Sequence, residues 1–254
     1  MISRYSVWLN DVSLQSVDPD IQINDINYAE TAFQVSASQL ANRPGLYAGK
    51  SYIPENKITV SFEIHKYGTA QRQAALDSVR AWASPVGWLK VNDRPDQRIY
   101  VRLTKPPVIT SVQNWTSGLT VEFTAYDYPF WQDQYPSVVT LEKDGEDTFF
   151  LPCAFDSCVE AKITAGASIS SIEIHVGDTV LALSGLTLSS GDVVTVSYTD
   201  DHHVLEIKSG NTSLLDKRTA ASSDDLIAKP GNNSLSFTAS ASAECELYFK
   251  GVYL

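Results

Sequence analysis

TVEFTAYDYPFW, residues Thr120–Trp131, is the stretch on which the reading of the chain turns. Val121, Phe123 and Ala125 alternate with Glu122, Thr124 and Tyr126, the period of a strand with one buried face. The alternation then meets Tyr128-Pro129-Phe130-Trp131, with Tyr135-Pro136 just beyond. Proline has no N–H to give a ladder and biases the residue before it toward extended backbone, so the chain should leave the sheet here. The segment predicts a strand that closes one domain and a linker that opens another. The domains expected are residues 1–135 and 136–254; one continuous large sandwich is the alternative.

Charge changes at the same place. Up to Tyr135 the chain carries 12 Lys and Arg against 13 Asp and Glu, and beyond it 7 against 17. The net charge of −11 thus divides into −1 and −10. Each part is near the modal domain size and long enough to bury a core. Nucleic acid is excluded as a partner, because a polyphosphate calls for a clustered basic surface. The acidic half should stay soluble and repel its own copies, whereas the near-neutral half suits self-association. Met1-Ile2-Ser3-Arg4 is followed by Tyr5–Asn10, too short and polar for an export segment, and no apolar run is long enough to insert into a membrane. Cys153, Cys158 and Cys245 have no neighbouring histidine to complete a zinc set. They read as buried free thiols, with a disulfide from Cys245 to one of the others as the alternative.

The first half is mostly strand. Ile21, Ile23 and Ile26 open an extended segment with an irregular beat, and Ile58, Val60, Phe62 and Ile64 alternate cleanly with polar residues. After Gly68 the period changes: Ala75, Leu76, Val79, Trp82 and Ala83 form one apolar stripe on a helix over Thr69–Ala83. Gly68 or Thr69 can cap it and Ser84-Pro85 ends it. Trp88–Val91 and Ile99–Leu103 read as strands around the turn Asn92-Asp93-Arg94-Pro95-Asp96. One helix among antiparallel strands predicts an α+β split barrel or sandwich. Between Ala41 and Lys57, Leu46, Tyr47, Tyr52 and Ile53 are apolar in a segment punctuated by Pro44-Gly45 and Gly49. Each would forgo about 1.5–3 kcal/mol if left in water. The segment either folds back on its own domain or lies on a neighbouring subunit.

The second half is short strands and turns. Val159, Ala161 and Ile163; Ile172, Ile174 and Val176; and Val194, Val196 and Tyr198 alternate with polar residues, and Gly177-Asp178 and Ser209-Gly210-Asn211 mark turns. Strands at this spacing predict an antiparallel jelly-roll sandwich. No catalytic constellation emerges. His65 lies on a polar strand face, and Asp200-Asp201-His202-His203 reads as a solvated hairpin tip rather than a metal site. Ser222-Ser223 ahead of Asp224-Asp225 reads as a loop or helix cap. Neither a phosphate loop nor a nucleophile elbow is present. The chain is read as a non-enzyme without cofactor. A carbohydrate-binding module is the rival, but the half from Pro136 onward has no tryptophan to serve as a sugar platform.

The order of these features resembles the distal tail proteins of long non-contractile-tailed phages. The resemblance rests on WLKVNDRPDQRIYVRL at Trp88–Leu103, the Pro44-Gly45 loop ahead of Ile58–Ile64, the single helix with Leu76 and Val79, and the TVEFTAYDYPFW exit. The acidic all-β second half with PGNNSLSF at Pro230–Phe237 also fits, and the likeness covers nearly the whole chain. It implies a structural protein of the virion tail tip, assembled in the host cytoplasm. It implies a hexameric ring, single or as two stacked rings, that joins the tail tube protein to tip proteins. The second domain would be galectin-like and can hold receptor-binding components. A closed ring needs one patch meeting a different patch on the next subunit. Leu46, Tyr47, Tyr52 and Ile53 are the expected inter-subunit arm.

Overall fold

The computed structural model describes residues 4–29, 34–38, 47–113, 115–200 and 203–254, with the side chains of 35–38 and 47–52 outside that description. The chain divides into two compact units, Met1–Trp131 with Leu254, and Gln132–Tyr253. The divide falls within the aromatic cluster after the Thr120 strand, ahead of Tyr135.

In the first unit the elements run β1 (Val7–Leu9), β2 (Val12–Ser13), α1 (Leu14–Val17), β3 (Ile21–Tyr28), β4 (Gln34–Ser38), β5 (Tyr47–Tyr52), β6 (Asn56–His65), α2 (Thr69–Trp82), β7 (Val86–Val91), β8 (Arg94–Val112) and β9 (Thr116–Ala125). The main sheet is antiparallel in the order β2-β1-β7-β8-β9-β6-β3, and β4 pairs with β5 apart from it. Asn10 and Asp11 both take left-handed backbone, which closes the β1–β2 hairpin in two residues. The irregular beat of Ile21, Ile23 and Ile26 is a bulge between Ile23 and Asp25 in the β3–β6 ladder. The β7–β8 turn is shorter than the sequence suggests. Val91 pairs with Arg94, so only Asn92 and Asp93 lie outside the strands, and Pro95 sits inside β8.

α2 covers one face of this sheet. Ala75, Leu76, Val79 and Trp82 are buried, and the Trp82 ring meets Phe123 edge-on at 6.1 Å. The sheet supplies Ile58, Val60 and Phe62 from β6 and Leu119, Val121 and Phe123 from β9 to the same core. Gly68 caps the helix with φ of +97°, a conformation costly for any residue with a Cβ. Thr124 departs from the predicted alternation: it is fully buried, 3.1 Å from the Thr104 hydroxyl. That hydroxyl contact lets a polar residue sit out of water.

β10 (Trp131–Asp133) runs from the first unit into the second. The second unit then follows as β11 (Ser137–Glu142), β12 (Gly145–Leu151), β13 (Ser157–Cys158), β14 (Glu160–Ala165), β15 (Ile169–Val176), β16 (Thr179–Leu188), β17 (Val193–Tyr198), β18 (Leu205–Ser209), β19 (Thr212–Ser213), β20 (Ile227–Ala228), β21 (Gly231–Ala239), β22 (Ala243–Phe249) and β23 (Val252–Tyr253). Two antiparallel sheets, β11-β22-β14-β17-β18-β19 and β12-β21-β15-β16, enclose the core. Their inward residues are the predicted alternating sets, among them Ile163, Ile174, Val196, Phe237 and Leu247. The free edge of β16 is closed by loop serines: Ser222 Oγ accepts from Ala182 N–H at 2.9 Å and Ser223 Oγ from Val180 N–H at 3.0 Å. That is the role Ser222-Ser223 has in place of a helix cap. The cysteines are free thiols, with Cys245 buried and Cys153 and Cys158 half-buried. Among the described residues no helix is long and apolar enough to cross a membrane.

Candidate assembly surfaces

The β8–β9 hairpin exposes a run of apolar residues. β7 accompanies β8 only as far as Arg102, and from Lys105 to Val112 β8 is in register with β9. Pro106-Pro107 falls where the register shifts between Lys105 and Val108, a place where missing N–H groups leave no ladder bond unmade. Beyond it, Val108 is 51%, Ile109 45%, Val112 63% and Trp115 63% exposed. Neighbours in a strand point to opposite faces, so exposure of both Val108 and Ile109 means that neither face of the hairpin is covered. Arg72 of α2 ties the hairpin down by donating to Gln113 O at 2.8 Å. Between hairpin and helix lies a groove of about 110 Å³ with Ile64, Leu76, Ile109, Val112 and Leu119 in its wall and Arg72 on its helix side.

The sheet face opposite α2 is polar and carries paired charges. Lys105 Nζ lies 2.7 Å from Glu122 Oε2, and that bond holds the Glu122 carboxyl below its ordinary pKa. Trp88 is held between the Arg98 guanidinium, 4.0 Å above its ring, and Tyr100 at 5.3 Å. Trp131 is buried at the end of the unit, edge-on to Tyr28 at 6.0 Å with the Arg94 guanidinium 4.9 Å over it.

Of the expected arm, Leu46 lies outside the described residues. Tyr47 and Tyr52 begin and end β5, and Ile53 follows it half-buried. The apolar surface that sequence reading missed is the outer half of β8. Its expected strand stopped at Leu103; the apolar Val108, Ile109 and Val112 beyond Pro106-Pro107 were the available signal.

In the second unit a hollow of about 540 Å³ lies on the outer face of β12, β21 and β15. Glu146, Asp147, Thr148, His175, Ser234 and Ser236 line it, and His175 Nε2 lies 2.5 Å from Glu173 Oε1. Sugar platforms stack rings on aromatic faces, whereas this hollow offers carboxylates, hydroxyls and one imidazole. Asp201 and His202 lie outside the described residues. His203 corrects the picture of a solvated tip: it is half-buried and stacks on Tyr198 at 5.0 Å. Burial, then the Lys250 charge, pull its pKa down to about 4. Cys158 and Cys245 are pushed up to about 12 by burial, the opposite of a nucleophilic thiolate.

This two-unit architecture has counterparts among solved structures. The crystal structure of the SPP1 Dit (gp 19.1) protein, described as a paradigm of the hub adsorption apparatus in Gram-positive infecting phages, superposes with a TM-score of 0.71. The match covers 97% of this chain and 98% of that one at 13% identity. The fold is that of a phage distal tail protein. Two structures of the phage P2 baseplate in its activated conformation share this distal tail fold more loosely. The form with Ca has a TM-score of 0.51 at 8% identity, over 99% of this chain and 98% of that one. The form with Sr has 0.53 at 9%, over 98% of each. No protein-family model and no curated protein matches the sequence. At such identities the distal tail likeness lives in element order and core pattern, not in shared side chains.

Proposed function

We propose that this chain is a structural protein of a phage tail tip. Its first unit closes head to tail into a hexameric ring that joins the tail tube to tip components, and its acidic second unit stands clear of its neighbours. The observation that carries the reading is the superposition on SPP1 Dit over nearly the full length of both chains. The charge division supports it: like copies meet most easily through near-neutral surfaces, and the first 135 residues carry −1 of the −11. The role is non-enzymatic. The tail tube protein, a tip protein and a receptor-binding protein are the partners it implies. The Leu46–Ile53 segment is part of the subunit contact in this reading.

Light scattering on the purified full chain tests it. A mass of about six times the 27.9 kDa chain, or twelve times for two stacked rings, is expected. A single chain mass at every concentration up to the solubility limit would overturn the ring.

A further inference from the structure

The β8–β9 hairpin carries both halves of a knob-and-hole contact on opposite faces. Ile109 and Val112 face α2 and wall the groove of about 110 Å³ with Leu76, Leu119 and Ile64. Val108 precedes Ile109 in the strand, so it points to the other face, where it is 51% exposed. A cavity of about 150 Å³ admits a benzene ring, so a hole of 110 Å³ suits one branched aliphatic side chain and is too small for an indole. Val108 fits it; Trp115 does not.

The occupant is narrowed by charge. From Leu103 to Thr120 the only charged residue is Lys105, and Glu122 already neutralises it. The groove adds one cation, Arg72, and no carboxylate, so a second copy that brings −11 with it meets no like charge there. A run of apolar side chains left in water, here Val108, Ile109, Val112 and Trp115, is also a liability unless something covers it. We infer that the hairpin is a copy-to-copy contact, in which Val108 of one subunit seats in the α2 groove of the next. This rests on the ring reading above and gives it its unlike surfaces. Because knob and hole lie on opposite faces of one hairpin, the contact is heterologous and leaves each pair of subunits one free knob and one free hole.

Val108→Lys removes the knob and Val112→Lys blocks the hole. Both sites are exposed, so circular dichroism should match the unmodified chain. Each variant alone is expected at one chain mass. Mixed in equal amounts they should form a pair at twice the chain mass and nothing larger, since only one good contact can form between them. Phe150→Lys, on an exposed residue of the second unit, should leave the assembly intact. Rings that persist in either variant, or a mixture that stays at one chain mass, overturn the seating while leaving the ring reading standing. If the unmodified chain is itself monomeric, the ring reading fails, and p-benzoylphenylalanine in place of Trp115, exposed on the hairpin and outside the hole, separates the two claims. A crosslinked pair then keeps the contact, and its absence ends it.

Discussion

Replacing Trp131 by Ala perturbs the point where the sequence departs from the sheet, and its cost follows from the packing. The side chain is 1% exposed, and its ring meets Tyr28 and lies under Arg94. Tyr28 is itself fixed by its hydroxyl donating to Asp93 at 2.8 Å, and burial with that carboxylate beside it pushes its pKa well up. Truncating a buried aromatic to alanine costs about 3–5 kcal/mol. The edge-on pair contributes about 0.5–1.5 kcal/mol of this and the guanidinium about 0.5–1 kcal/mol. A loss of about 4 kcal/mol is a large share of the roughly 5–15 kcal/mol that holds a domain together. In a unit of this size it corresponds to a melting point lower by about 10–20 °C. Differential scanning calorimetry of the full chain should show the first unit's transition shifting while the second unit's stays in place. Tyr67→Ala, at 77% exposure, is the matched control and should stay within about 0.5 kcal/mol. A Trp131→Ala loss below about 1 kcal/mol, or a shift confined to the second unit, would refute the argument that this residue closes the first core.

Three further outcomes are expected. His203 has a pKa of about 4 in the folded chain against 6.5 unfolded, so the folded state holds fewer protons between those values. Its contribution is complete above pH 6.5 and is lost as pH falls toward 4, with a ceiling of about 2–3 kcal/mol after allowing for its partial exposure. His203→Asn keeps a residue tolerant of the left-handed backbone, and should flatten the second unit's melting-point profile across that window; parallel profiles would show that His203 is not the group responsible. Tyr198→Phe strips the hydroxyl that accepts from Leu226 N–H at 3.0 Å, and should cost about 1–3 kcal/mol by chemical denaturation, because it orphans a buried donor. Gly68→Ala should cost about 1–3 kcal/mol in the first unit, since nothing crowds the position and only its backbone conformation resists a Cβ. A neutral result there would mean that the turn relaxes to an ordinary conformation.

Local periodicity made β6, β9 and α2 legible because each buries one face, and a one-sided burial imprints its period on the chain. The same holds for β14, β15 and β17 in the second unit. β8 was half legible. Its first half is held between β7 and β9 and alternates accordingly, while its second half is bulged, carries Pro106-Pro107 and exposes both faces, which erases the alternation. Asn92-Asp93 was read as a longer turn because Pro95 is a turn signal when nothing says which strand edge it lies on. His203 looked solvated because its neighbours in sequence are charged; its burial comes from Tyr198, on the strand before it.

By itself, then, the order of residues determined that this is a two-part β protein with one covering helix, a neutral front and an acidic rear, because core alternation and charge are properties of consecutive residues. Only the tertiary structure decided which apolar residues remain outside. Whether Val108, Val112 and Trp115 are covered depends on where β7 stops and where α2 lies, and those are distances between segments far apart in the chain. Exposure is what remains after packing, so a surface for assembly becomes visible only once the core has taken its share.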